Sequence, residues 1–322
     1  MNSKTALVTG GAGFIGSHLS AALVGKGYHV ICIDNLLTGS KRNIEGLLSN
    51  ERFRFIEHDV TTELPQVMND VGTIDYLYHL ASPASPVQYQ NHPLETLHVN
   101  SIGTENMLQL AQQVGASFLY TSTSEVYGDP LEHPQKETYW GNVNSYGPRS
   151  CYDEAKRFGE ALVYTYTHHH HVKARMVRIF NTYGPHMEKD DGRVVSNFVN
   201  QAINNQPVTI HGDGNQTRSF CYVSDMVSGI MAAMETEGTN GEIINLGNPD
   251  ERSVHEIADL IIKLAGSSSE KNYKDRPPDD PARRQPDISK AKRLLRWEPN
   301  VSLEEGLKKT IEYFRQTANR NR

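Results

Sequence analysis

Three glycines, Gly10, Gly13 and Gly16, follow directly on the aliphatic run Ala6–Val8 and open an apolar stretch that starts at Phe14. A strand that turns on such glycines into a helix has few ways to fold. The first glycine permits a tight turn, the second lets the backbone approach a pyrophosphate, and the third lets the helix lie close on the sheet. The start of that helix presents unpaired N–H groups and the positive end of its dipole, so the turn suits an anionic ligand. Asp34 closes the next aliphatic run, Val30–Ile33, eighteen residues after Gly16. A carboxylate there accepts hydrogen bonds from adenosine ribose hydroxyls and repels a 2′-phosphate, which predicts NAD rather than NADP.

The rest of the chain extends this pattern. Short β-branched or aliphatic runs recur at Phe53–Ile56, Tyr76–Leu80, Phe118–Tyr120 and Ala174–Ile179, separated by helix-length intervals. Such alternation predicts an α/β fold: a Rossmann-type, doubly wound parallel sheet with right-handed crossovers. Past Gly184-Pro185 the order changes. A helix is expected at Val195–Ile203, strands at Val208–His211 and Phe220–Val223, and helices at Val254–Leu264 and Leu303–Phe314. Gly266–Pro286 reads as a surface loop. These pieces predict a smaller C-terminal substrate-binding lobe, made of residues 183–216 and 251–316. The NAD-binding part then covers 1–182 with returning segments near 217–250.

Bulk properties exclude several classes. The 32 basic and 38 acidic residues are interspersed and leave a formal charge of −6, which gives no electrostatic footprint for nucleic acid. Three cysteines, Cys32, Cys151 and Cys221, fit neither a disulfide framework nor a zinc knuckle. No apolar stretch approaches membrane length and no signal-peptide core precedes the first strand, so a soluble, cytoplasmic protein is expected. The run His168–His171 reads as a solvated loop and not a metal site, because four adjacent histidines on one loop cannot all face one ion.

Tyr152 and Lys156 stand four apart, on one face of a helix. An ammonium beside a phenol, helped by a cationic nicotinamide, favours the phenolate, and the phenolate can take a proton from a sugar hydroxyl while hydride leaves its carbon. Upstream lies Tyr120-Thr121-Ser122-Thr123-Ser124-Glu125-Val126-Tyr127-Gly128. Strand carboxyl ends line the crevice of an open α/β sheet, so Thr123, Ser124 and Glu125 are placed at the reacting group. An acid there is costly to bury without purpose.

Together with the segments Leu80–Pro86, Thr123–Pro130, Cys151–Glu154, Arg178–Pro185, Asp191–Phe198 and Gln216–Phe220, these motifs resemble the UDP-glucuronate decarboxylase branch of the extended short-chain dehydrogenases over nearly the whole chain. The resemblance implies NAD contacts at Gly10, Gly13, Phe14, Ile15, Gly16, Asp34, Asn35, Asp59, Val60, Leu80, Ala81 and Ser82, besides Tyr152 and Lys156. It implies a catalytic set of Tyr152, Lys156, Thr123, Ser124 and Glu125. Substrate contacts are implied at Ser82, His98, Glu125, Asn181, Arg193, Arg218 and Arg284, with both Arg218 and Arg284 at the diphosphate and active-site edge. The implied reaction oxidises C4 of a UDP-sugar acid, releases carbon dioxide from the resulting β-keto acid and reduces the ketone again with retained NADH. A homodimer through helices beside the catalytic tyrosine is also implied.

Two positions depart from the family pattern. His98 stands where a lysine is usual, and Asn144-Ser145-Tyr146-Gly147 replaces Asn-Pro-Ile-Gly. They leave open a related acid, UDP-N-acetylglucosaminuronate; release of the 4-keto-pentose with NADH is a separate alternative on the same machinery. A UDP-uronate 4-epimerase and a non-catalytic NAD or nucleotide-sugar sensor are the further alternatives, the last opposed by the intact acid-base set.

Overall fold

The computed structural model describes residues 3–64, 73–276 and 283–320. Seven parallel strands form the centre: β1 (Thr5–Thr9), β2 (His29–Asp34), β3 (Phe53–Glu57), β4 (Tyr76–His79), β5 (Ser117–Thr123), β6 (Ala174–Ile179) and β11 (Ile243–Leu246), in the order β11-β6-β5-β4-β1-β2-β3. The order reverses beside β1, which opens a crevice at the carboxyl ends of β1 and β4. The strands read as near-continuous apolar runs because both faces are covered: Ala6, Leu7, Val8, Leu77, Phe118 and Leu119 are fully buried. Helices α1 (Phe14–Gly25), α2 (Pro86–Asn91), α3 (Pro93–His98), α4 (Thr104–Val114) and α5 (Ser150–His169) supply the crossovers.

Between α3 and α4 the helical run widens into a π turn at Val99–Gly103. Asn100, in this turn, donates to Ser82 Oγ and Thr96 O and accepts from the Tyr120 hydroxyl, so it ties the helix to the strand ends. π turns recur at functional sites for this reason: one extra residue redirects a side chain.

The later segments make two excursions from the sheet. The first runs through β7 (Thr182–Tyr183), α6 (Val194–Ile203), β8 (Val208–His211), β9 (Thr217–Ser219) and β10 (Cys221–Tyr222); α7 (Val223–Glu235) then lies back on the sheet beside α1 and leads into β11. The second holds β12 (Glu251–Ser253), α8 (Val254–Ala265), β13 (Lys271–Lys274), β14 (Arg283–Arg284), α9 (Ser289–Leu295) and α10 (Leu303–Arg320). Here α6, α8 and α10 pack on one another, and β9 lies between β12 and β14. A capping box on Ser253 and Glu256 starts α8, and Gly266 in the left-handed region ends it.

Several sequence expectations need correction. The Gly266–Pro286 loop carries two strands, β13 paired to β8 and β14 paired to β9. Lys271–Lys274 is polar, and all but Lys271 is exposed, so no hydrophobic alternation marks it. The strand expected at Phe220–Val223 is only Cys221–Tyr222, since Val223 begins α7. His168 and His169 form the last turn of α5 rather than a loop, with His168 tilted against Tyr164 and His170 against Tyr166.

Candidate active site

The glycine turn has the shape its sequence demands. Gly10 has φ +68°, and a Cβ there would stand 2.8 Å from the Ala81 backbone. A Cβ on Gly16 would lie 2.1 Å from Gly10 O, so α1 sits against the turn only because it has none. Asp34 closes β2 with both oxygens engaged: Oδ2 accepts from Ala12 N–H at 2.9 Å and Oδ1 from Leu36 N–H at 2.8 Å. Burial raises its pKa and these N–H groups oppose the rise. Asn35 donates to Asp59, which also accepts from the backbone and hydroxyl of Thr61; against burial, these bonds hold the Asp59 carboxyl below its usual range. A bare glycine turn, a helix start and a fixed acid one strand over fit a dinucleotide.

From this turn a cleft of about 810 Å³ crosses the carboxyl edge of the sheet to the later segments. Every site residue singled out from the sequence lines it. Gly10 to Gly16, Asp34, Asn35, Asp59, Val60 and Leu80 to Ser82 take one side. His98 at the end of α3, Asn181 after β6, Arg193 before α6, Arg218 on β9 and Arg284 on β14 face it from elsewhere, with Thr123, Ser124, Glu125, Tyr152 and Lys156 between.

Tyr152 and Lys156 project from α5 and are buried. Lys156 Nζ donates to Thr121 O at 2.9 Å and lies 6.0 Å from the centre of the Tyr152 ring. Burial brings Lys156 down to about 7, partly offset by Glu160. Tyr152 is raised above its ordinary value by burial, against a hydrogen bond from Thr123. The phenolate-favouring shift expected from the Tyr-Lys spacing is therefore not produced by the polypeptide alone, because burial of the phenol outweighs the donors around it. Beneath the pair, Arg178 makes a two-pronged bond to Glu160 at 2.8 and 2.7 Å, and Ser122 donates to Glu160 at 2.6 Å. His79, fully enclosed between Thr9 and Thr104, is pushed down to about 3 by burial and by Lys156.

Glu125 is gripped from two sides. Arg149 Nη2 donates to its Oε2 at 2.5 Å, and Arg284 Nη1 donates to its Oε1. Burial works to raise this carboxyl, but Arg284 and Arg149 overcome it and hold it far down, at about 2. Arg284 is thus a partner of Glu125, not only an edge residue. Arg193 pairs with Asp191 and lies 5.5 Å over the Phe14 ring. Arg218 donates to Thr217 O at 2.9 Å.

Sequence reasoning missed three residues here. Tyr89 of α2 stacks on Tyr152 with ring centres 4.9 Å apart and planes within 6°. Arg149 precedes α5, and Asp153 follows Tyr152 with Oδ1 buried and unpartnered. Arg149 was accessible to reasoning, being one helical turn before the tyrosine; nothing in the sequence marks Tyr89.

The model of the GDP-mannose 4,6 dehydratase family matches residues 7–310. The chain belongs to this family. Within it, UDP-glucuronic acid decarboxylase 1 of Arabidopsis thaliana is 54% identical over 96% of this chain and 69% of that protein. UDP-glucuronic acid decarboxylase 1 of Xenopus tropicalis is 52% identical over 97% and 72%. Among solved structures, UDP-glucuronic acid 4-epimerase from Bacillus cereus, in complex with UDP-glucuronic acid and NAD, is 34% identical, with a TM-score of 0.88 over 97% of this chain and 99% of that one. The seven-stranded sheet and its crevice are therefore those of an NAD-dependent dehydratase-family enzyme. On this family scaffold no helix among the described residues is long and apolar enough to cross a membrane.

Proposed function

We infer that this chain decarboxylates UDP-glucuronate to UDP-xylose with NAD as a retained cofactor. The observation that carries the reading is the joining of an acid-base tyrosine to a doubly arginine-bound Glu125 in one cleft, in a chain more than half identical to UDP-glucuronic acid decarboxylases. Gly10, Gly13, Phe14, Ile15, Gly16, Asp34, Asn35, Asp59, Val60 and Leu80 to Ser82 are assigned to hold NAD. When bound, NAD supplies a hydride acceptor for C4 and, later, the donor that restores it, together with a positive charge that favours the tyrosinate.

The chain's own residues do the rest. Thr123 orients the Tyr152 hydroxyl, Tyr152 takes the O4 proton, and Lys156 steadies it. The C4 ketone lies β to the carboxylate, so carbon dioxide leaves with its electrons drawn into an enolate; protonation at C5 restores the ketone, and as hydride returns to C4 Tyr152 gives its proton back to O4. Ser124 and Glu125 are assigned to the face of the ring, where Glu125 orders the carboxylate group or a proton-carrying water. Ser82, His98, Asn181, Arg193, Arg218 and Arg284 are assigned to the UDP-sugar, guanidinium forks suiting phosphate or carboxylate. Residues 1–182 with returns near 217–250 form the NAD-binding part, and 183–216 with 251–316 the nucleotide-sugar part.

The reading includes a homodimer: Leu94, Leu97 and Ile102 near α3 and α4, and Phe158 and Tyr164 on α5, expose apolar side chains beside the catalytic helix. Three unpaired cysteines suit a reducing, cytoplasmic setting. The test is incubation with UDP-glucuronate without added NAD, following carbon dioxide and product by proton NMR. UDP-xylose is expected. UDP-galacturonate would mean an epimerase; a 4-keto-pentose with free NADH would mean an enzyme that lets its cofactor go. No product even with NAD would reject the substrate, and UDP-N-acetylglucosaminuronate would then test the His98 departure.

A further inference from the structure

Arg149 touches three separate parts of the site. It donates to Glu125 at 2.5 Å, its Nε lies 3.8 Å from Asp153 Oδ2, and its guanidinium carbon lies 6.0 Å from the Tyr89 ring centre. That ring in turn lies flat on Tyr152. We propose that Arg149 is a positioning residue, a bridge that fixes Glu125 relative to the catalytic helix and, through Tyr89, braces the ring of Tyr152. The proposal rests on the decarboxylase reading for what Glu125 and Tyr152 do.

Glu125 needs such a bridge because of where it sits. It belongs to the 3-10 turn Ser124–Tyr127 that leaves β5, whereas Tyr152 belongs to α5, and no direct hydrogen bond joins the two residues. Arg284 also binds Glu125, but it comes from β14, and its second donor goes to Gly128 O at 3.3 Å, just past the same turn. Arg284 therefore secures Glu125 to the later segments. Arg149 alone secures it to the helix that carries the acid-base pair.

The surroundings make the bridge strong. Only 12% of the Arg149 side chain and 16% of the Glu125 side chain are exposed, so the pair is poorly screened. Glu125 is faced by Arg149 just before α5, by Asp153 and Tyr152 from α5, by Arg284 from β14 and by Tyr89 from α2. Asp153 competes for the same guanidinium from farther away. Burial and the charge on Glu125 push the Asp153 carboxyl above its usual range, while the two arginines hold Glu125 below its own. A guanidinium suits this position because it offers several donors in one plane; an ammonium cannot serve Glu125, Asp153 and an aromatic face together.

The test uses the NAD-loaded enzyme. Arg149→Met keeps the stem and removes the charge. Expected are a fall in kcat of about 10- to 100-fold, as for a small misplacement of reacting groups, and a KM for UDP-glucuronate changed far less. The Glu125 carboxyl resonance should titrate at higher pH than in the wild type, because one of its two stabilising cations is gone. That resonance is read by 13C NMR of glutamate-labelled protein and identified by subtracting the Glu125→Gln spectrum. An unchanged kcat, or a lowered kcat with the Glu125 resonance unmoved, overturns the proposal. If Arg149→Met does not fold, Arg149→Lys decides: a lowered kcat with the Glu125 titration nearly kept supports the bridge, and wild-type kcat and KM overturn it. Wild-type enzyme inactive on UDP-glucuronate would reject the decarboxylase reading, yet the Glu125 resonance would still report whether Arg149 holds it.

Discussion

Replacing Lys156 by methionine should destroy activity and strengthen the fold, by an amount that depends on pH. Lys156 is 3% exposed, and burial lowers its pKa from 10.5 to about 7. A lysine whose folded value is depressed favours the unfolded chain. The penalty is absent above pH 10.5, where both states are neutral, grows as pH falls, and is complete below about 7. At about 1.4 kcal/mol per pH unit, it amounts to on the order of 4 to 5 kcal/mol at pH 7 and about 1 to 2 kcal/mol at pH 9.5. Methionine fills similar space but gives up the bond to Thr121 O, a loss of about 1 kcal/mol. The net gain is then about 3 kcal/mol at pH 7 and close to zero at pH 9.5. For a chain of this size, at roughly 2 °C per kcal/mol, Tm should rise by about 6 °C at pH 7. Thermal melts of both proteins at the two pH values, without added nucleotide, measure it. A variant no more stable at pH 7, or one whose gain is the same at pH 9.5, would refute the argument that desolvation of this ammonium is the cost.

Two further outcomes follow from the cofactor side of the cleft. Gly16→Ala forces a Cβ to within 2.1 Å of Gly10 O, so α1 must move off the turn and NAD affinity by calorimetry should fall at least about tenfold; Gly25→Ala, with open space around it, should leave affinity unchanged, and equal effects would reject the steric reasoning. Asp34→Ala strands the N–H groups of Ala12 and Leu36, at a cost of about 1 to 3 kcal/mol, and removes the charge that repels a 2′-phosphate. The ratio of NAD to NADP affinity should narrow, and an unmoved ratio would mean that Asp34 does not set it.

What was readable in the sequence divides along physical lines. The sheet announced itself because strands covered on both faces must be apolar, so Val30–Ile33 and Ala174–Ile179 stand out against polar helices. The glycine turn and the Tyr152–Lys156 spacing were readable because each is a local geometry. Strands β13 and β14 were not, since polar edge strands pair through backbone alone. Tyr89 stayed hidden for a different reason: its role exists only across elements, with a residue sixty-three positions away. The protonation preferences of Tyr152 and Lys156 were also out of reach, because burial, which no spacing reveals, reverses what the pair's charges suggest.

The two excursions from the sheet bear on how such a protein can evolve. The chain passes between the sheet and the later segments after β6, again on entering α7, and a third time after β11. A part joined through three passages cannot be exchanged as a cassette, since one recombination event would have to repair three junctions at once. Nor can it swing on a single pivot; a Pro or Gly placed in one passage leaves the others holding. New substrates on this architecture should therefore arise by point changes on the cleft wall, at positions such as His98, with movement confined to small sliding of packed helices.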